Sequence, residues 1–242
     1  MRKRLLIGIL VPVIVALLYC MFFLKFVRVP SGSMKNTILI GDRLVVNKVM
    51  GGIQRGAIVV FKYPRDTRTS YVSRVIGLPG ETIQINPERH LVLIDGKELA
   101  EHRIRAAYQW PDDPGQLEEK MDYGVPAGAL YTVYCQRDDD DRMAARFGLG
   151  EAFRLPKKGD PLPEEMRTSE YRDAYDADHD GRYDADQYFC MGDNRDSSED
   201  SRYWGTVPAN LIVGRAFAVY WSKEPGDSGG HIRWKRVLSR LR

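Results

Sequence analysis

The chain has 242 residues, with 36 Lys and Arg against 33 Asp and Glu, for a formal charge of +3. That length suits one large or two modest domains. The absence of a low-complexity tract or short internal repeat excludes a repeat or low-complexity protein.

The charge is unevenly spread: +4 over residues 1–26, +6 over 27–87, −10 over 88–187 and +3 over 188–242. An acidic block between two basic ones reads as an insertion into a core that lies close to anionic lipid. A nucleic-acid partner is not expected, because the basic residues alternate with strand-like apolar ones and form no dense patch.

Leu5 to Leu24 is a run of twenty residues without a charge. As a helix it would cover about 30 Å, the thickness of a hydrocarbon core. Pro12 is tolerable in such a span, and Arg2, Lys3 and Arg4 before it favour an N-terminus left in the cytoplasm with the rest translocated. A cleaved signal peptide is the alternative. The run is long for one, and no small-x-small site follows closely.

Just beyond lies the small-residue loop Val29 to Thr37, which holds Ser31 and Ser33 on either side of Gly32. Ile38 to Val49 is β-rich, Ala57 to Phe61 reads as a buried strand, and Tyr71 to Ile76 as another, closed by a turn at Gly77 to Gly80. Thr82 to Ile85 alternates, and Leu91 to Ile94 followed by Asp95-Gly96 predicts a hairpin. Frequent strands with almost no helical periodicity predict a mainly β, antiparallel fold behind one N-terminal transmembrane helix.

Residues 98–187 differ in character, with acidic clusters, prolines and few apolar runs, and predict a smaller solvent-facing lobe inserted into the core. Tyr131 to Cys135 is its best strand. Asp176, Asp178 and Asp180 followed by Gly181 match the start of a calcium loop, but Gln187 stands where a bidentate Glu is expected. An acidic surface loop is the other reading. The core then resumes with Gln187 to Met191 and ends with Ile212 to Trp221 and a basic, amphipathic tail over 233–240. The domains expected are therefore an anchor over 1–26, a core over 27–97 plus 188–242, and the inserted lobe. Cys135 and Cys190 form a disulfide or remain two buried thiols; the sequence leaves both open.

Taken together, several blocks resemble the bacterial type I signal peptidases. They are Ser31 to Met34, Gly41 to Lys48, Arg55 to Phe61, Tyr71 to Gly80 and Gly192 to Gly205, in the family's order behind an N-terminal apolar segment. The resemblance implies a serine endopeptidase of the bacterial cytoplasmic membrane, its catalytic domain on the outer face, removing signal peptides from preproteins after a small-x-small motif. It implies no cofactor. Ser33 matches the nucleophile and Ser31 the side-chain donor of the oxyanion hole. Ser198 matches the serine that orients the base, and Asp200 and Arg202 match a supporting pair.

Two positions depart from the family pattern. Asn36 stands where proline is usual, and Ser73 where the family has its general-base lysine. A desolvated amine can take a proton from serine near neutral pH, which a hydroxyl cannot do. Arg74 does not deprotonate, and Lys48, Lys62, His90 and His102 occupy positions the family does not use catalytically. The alternative function is thus an impaired relative that binds signal peptides or an active paralogue.

Overall fold

The computed structural model describes residues 2–48, 52–86, 91–105, 121–122, 129, 131–135, 150–226 and 230–241. Helix α1 (Arg2–Phe23) contains Pro12. It ends one residue before the apolar run does, because Leu24 opens a strand rather than a loop: β1 (Leu24–Arg28) pairs antiparallel with β2 (Asp42–Asn47). Two long strands follow, β3 (Ile58–Tyr63) and β4 (Asp66–Gly77). Short ones come next: β5 (Thr82–Ile85), β6 (Val92–Ile94), β7 (Lys97–Glu98), β8 (His102–Arg105), β9 (Met121–Asp122), β10 (Thr132–Cys135) and β11 (Phe153–Arg154). After the one-turn helix α2 (Glu164–Arg167) come β12 (Gln187–Met191), the one-turn α3 (Ser201–Trp204), β13 (Val207–Pro208), β14 (Ile212–Ser222) and β15 (Ser239–Arg240).

The main sheet runs β1-β2-β14-β3-β4-β12-β13, antiparallel throughout, with β15 pairing β14. A mainly antiparallel β fold is therefore correct. The smaller sheets are β11-β5-β6-β7 and β10-β8-β9, and in the latter β10 and β8 are parallel. The hairpin expected at Asp95-Gly96 forms, and both residues take positive φ (50° and 75°), the conformation a tight two-residue turn requires.

Period-two alternation on strands covered on both faces divides the core. On β3, Ile58 and Val60 join Val29, Met34, Ile38, Leu44, Val46, Ala216 and Val219 on one side of the sheet. Val59 and Phe61 join Val75, Tyr188, Cys190, Trp204, Val207 and Ile212 in a second cluster. Phe189 and Met191 of β12 instead meet Ile76, Ile83, Ile85, Val92, Tyr131, Val133 and Leu155. Cys190 is a free, buried thiol whose pKa burial pushes up. It forms no disulfide here; the Cys135 side chain, like His90 and Asp138 to Asp141, lies outside the described residues.

The basic tail is short and packed onto the sheet. Among the described residues it is a 3₁₀ turn at Trp234–Arg236 leading into β15. Arg236 Nη2 sits 2.6 Å from Asp42 Oδ2, and Arg233 Nη2 3.4 Å from Asp42 Oδ1. The buried carboxylate also accepts from Ser222 Oγ (2.6 Å) and Leu39 N (2.9 Å). These tail charges are spent holding the chain end to the start of β2.

On α1 the structure describes side chains at 10–15 and 18–23, and the large apolar ones there, from Leu10 to Phe23, are exposed. Among the described residues no helix is long and apolar enough to cross a membrane.

Candidate active site

Ser33 lies in a compact loop after β1. Lys35 N donates to Gly32 O (2.9 Å) and Ile38 N to Met34 O (2.7 Å), while Asn36 takes φ 76°. A proline, fixed near −65°, cannot occupy that conformation, whereas asparagine tolerates it. The departure at position 36 thus changes the loop's backbone, beyond the loss of stiffness the sequence alone suggests.

The loop is fastened to residues 192–194, which follow β12. Asn194 N donates to Ser33 O and Asn194 Nδ2 to Gly32 O, both at 3.0 Å, and Asp193 N approaches the buried Met34 Sδ at 3.3 Å. Gly192 lets the two segments meet. A Cβ there would lie 2.2 Å from Ser198 Oγ and 2.5 Å from Ser33 O, so no other residue fits without displacing one of them.

Three buried acid–base pairs support these contacts. Asp193 accepts Arg74 Nε (2.7 Å), Arg74 Nη2 (2.6 Å) and Thr37 Oγ1 (2.6 Å). Arg74 also donates to Gly56 O (2.7 Å) and lies 4.4 Å over the Tyr131 ring. Tyr131 Oη donates to Glu101 (2.9 Å), and both terminal nitrogens of Arg195 bond the same carboxylate. Arg202 Nη2 donates to Arg195 O (2.6 Å) and pairs with Asp200, whose Oδ2 accepts Gly192 N (2.9 Å). The chain of contacts therefore closes where it began, around Gly192 to Asn194.

Burial works against the charge of Glu101, but Arg195, Arg103 and the Tyr131 hydroxyl outweigh it and hold the carboxyl below its usual pKa. Burial, and then the charge of Glu101, push the Tyr131 phenol well up. Glu101 and Tyr131 come from the stretch expected to face solvent, yet both are buried here. Asp200 and Arg202 pair as expected but not on a strand. Asp200 is the N-cap of α3, accepting from Arg202 N (3.2 Å) as well as from its guanidinium.

A cleft of about 370 Å³ opens beside the serine loop. Ser31 and Ser33 line it with the apolar side chains of Val27, Leu44, Val60 and Val72, and with Thr69, Ser70, Tyr71, Ser197 and Glu199. Ser31 Oγ and Ser33 Oγ are 3.4 Å apart, and among the described residues this is the side-chain contact that Ser33 Oγ makes. Ser73 follows the part of β4 that lines the cleft; it is 2% exposed and faces Val59 in the pairing register. Ser198 is buried too, and its Oγ has no hydrogen-bond partner.

Two of the side chains weighed as substitutes for a base, Lys48 and His102, are engaged elsewhere, and His90 lies outside the described residues. Lys48 Nζ donates to Phe22 O (3.2 Å), and His102 Nδ1 meets Thr132 Oγ1 (3.0 Å). Of the calcium-loop aspartates, Asp176 and Asp178 stand together, joined by Asp184; Asp180 is not in that group. Its Oδ1 caps Arg182 N instead, at 2.8 Å.

The sequence model of one family, described as "Signal peptidase, peptidase S26", matches residues 2–221. The chain belongs to that family. It is 34% identical over 226 residues to a signal peptidase I of Pseudomonas aeruginosa, covering 83% of this chain and 66% of that relative. With a signal peptidase I of Pseudomonas fluorescens it shares 32% over 238 residues, 87% of this chain and 69% of the relative. With one from Aquifex aeolicus it shares 27% over 257 residues, 92% and 85%. The chain thus spans about two thirds of the length of the two Pseudomonas proteins. A solved signal peptidase I from Enterococcus faecalis overlaps 69% of this chain and 98% of its own at 21% identity, with a TM-score of 0.32, too loose a likeness to argue from.

Arg74, Asp193, Glu101 and Arg195 were not singled out from sequence as parts of the site. The adjacency of Arg74 to the Ser73 position, and of Asp193 and Arg195 to Gly192, was the signal available.

Proposed function

We propose that the chain is a membrane-anchored serine endopeptidase of the signal peptidase class, acting on exported preproteins after a small-x-small motif. The observation that carries this reading is the pair of serine hydroxyls 3.4 Å apart in an apolar-walled cleft. Ser33 Oγ attacks the scissile carbonyl as its proton passes to solvent, the C–N bond then breaks with the departing amine taking up a proton, and water hydrolyses the ester. Ser31 donates to the oxygen that becomes negative, a contribution typically worth about 10²–10³ in rate. The substrate enters extended, between the serine loop and the stretch Thr69 to Val72 of β4, adding its backbone to strand edges. Domains follow the boundaries read from sequence, with 98–187 inserted in the core.

The anchor is α1. Its 22 residues cover about 33 Å at 1.5 Å per residue, and from Leu5 to Phe23 they carry no charge. The N-terminus stays in the cytoplasm and the sheets lie outside the bacterial inner membrane. In this arrangement β1 is continuous with α1 and holds the serine loop close to the bilayer.

A second reading has its own observation. The position for an amine base is a buried serine, and the Ser198 hydroxyl, against Gly192, is buried without a partner among the described residues. On this reading the site binds signal peptides and scarcely turns them over. The purified protein, Ser33→Ala, Ser73→Lys and Ser73→Lys/Ser33→Ala are assayed on a preprotein in detergent. Cleavage by the unmodified protein, abolished by Ser33→Ala, supports the peptidase. Cleavage by Ser73→Lys alone supports the impaired binder. No cleavage by either refutes the placement of position 73.

A further inference from the structure

Residues 172–186 lie outside the serine site, between α2 and β12. In this segment one carboxylate oxygen from each of Asp176, Asp178 and Asp184 lies within 4.8 Å of the others. Two oxygens bound to one calcium ion at 2.3–2.6 Å can be separated by roughly 5 Å at most, so the three already fit around a single ion.

Three like charges gathered on one short segment oppose folding unless something neutralises them. Arg172 does so for one oxygen: its Nε and Nη2 lie 3.1 and 3.0 Å from Asp176 Oδ2, which also accepts Gly181 N (3.1 Å). The other oxygen, Asp176 Oδ1, is fully buried and has no hydrogen-bond partner. A buried carboxylate oxygen left bare destabilises the fold, and a bound cation is the simplest way to satisfy it.

We propose that Asp176, Asp178 and Asp184 bind a calcium ion. The donors are all oxygens, which selects a hard cation over zinc or copper. His179, the nearest nitrogen in sequence, is turned to Asp173 Oδ1 at 2.8 Å. The ligands are positions 1, 3 and 9 of a calcium-loop spacing, so Asp184 takes the role that the sequence alone gives to Asp180. The ion would lock the approach to β12. Tyr175, next to the first ligand, packs on Tyr183 and donates through its hydroxyl to Thr206 O (3.0 Å), and β12 begins three residues after the last ligand.

Calorimetric titration and thermal melts of the full-length, detergent-solubilised protein test the site, with calcium chloride and magnesium chloride as probes. The expected calcium affinity is in the range of about 10⁻⁴–10⁻³ M typical of extracellular modules, with a rise in Tm that saturates with concentration. Asp178 is exposed, so Asp178→Asn should fold normally and bind at least about tenfold more weakly, while Asp173→Asn binds as the parent does. No calcium response by about 10 mM overturns the proposal. So does an equal response in Asp178→Asn, or an equal response to magnesium.

Discussion

Replacing Asp193 with alanine removes one partner of a pair that is buried on both sides, with Arg74 1% and Asp193 0% exposed. The carboxylate receives two hydrogen bonds from the guanidinium and one from Thr37. Without it, Arg74 keeps its bond to Gly56 O and its place over Tyr131 but loses the buried carboxylate that takes two of its hydrogen bonds. Breaking a buried pair this way typically costs about 3–5 kcal/mol, more than the pair contributes relative to an apolar replacement. Asp193→Ala should therefore lose about 3–5 kcal/mol in urea unfolding of the detergent-solubilised chain, followed by tryptophan fluorescence. Adding Arg74→Met removes the stranded charge, and the double variant should be less destabilised than the sum of the singles by about 1–3 kcal/mol. A loss below about 1 kcal/mol, or strict additivity, would refute the claim that this pair holds the serine loop to residues 192–194.

Four further outcomes follow from the same contacts. Gly192→Ala puts a methyl group against Ser198 Oγ and Ser33 O; it should cost about 1–3 kcal/mol and weaken signal-peptide binding, measured by fluorescence anisotropy. Asn36→Pro should destabilise by more than about 1 kcal/mol because φ there is 76°, while Asn36→Gly stays within that margin in the same melt. Ser198→Ala removes a buried hydroxyl with no partner, so it should be neutral or stabilising within about 1 kcal/mol in the parent, yet should lower cleavage in a Ser73→Lys background. For Glu101 the folded pKa lies below the unfolded value, near about 4.3. Its stabilisation is complete above the unfolded value and is lost as pH falls through the folded one. Melts between neutral and acid pH should show Tm declining below about pH 4, less steeply in Glu101→Gln.

Strands were legible where alternation or an unbroken apolar run was strong. Ile58 to Phe61 of the stretch read from Ala57, Tyr71 to Ile76, Thr82 to Ile85 and Ile212 to Trp221 all lie in strands. What was not legible was β1, because Leu24 to Arg28 continues an apolar run with two charges that read as flanks of a span. Nor could the sequence reveal that β14 enters between β2 and β3, since pairing is decided by faces far apart in the chain. Ser31, Ser33 and the 192–205 block were legible through resemblance to a family, and the structure brings them together. The pairs Arg74–Asp193 and Glu101–Arg195 were not, because an isolated charge reads as surface until its partner is known. Those partners lie 119 and 94 positions away. The ion pairs of Arg233 and Arg236 with Asp42 were not legible for the same reason.

The position of β14 has a consequence for the order of assembly. It is among the last strands made, yet it fills the gap between two of the earliest, β2 and β3. Until residue 222 has been made, those two strands present unpaired edges to each other. A domain closed by such distant pairing folds late and is exposed to edge-to-edge association meanwhile. The serine loop, tied to residues 192–194, cannot take its working shape on a partial chain. A chain cut short before β14 lacks both the closed sheet and the fastening of the serine loop to residues 192–194.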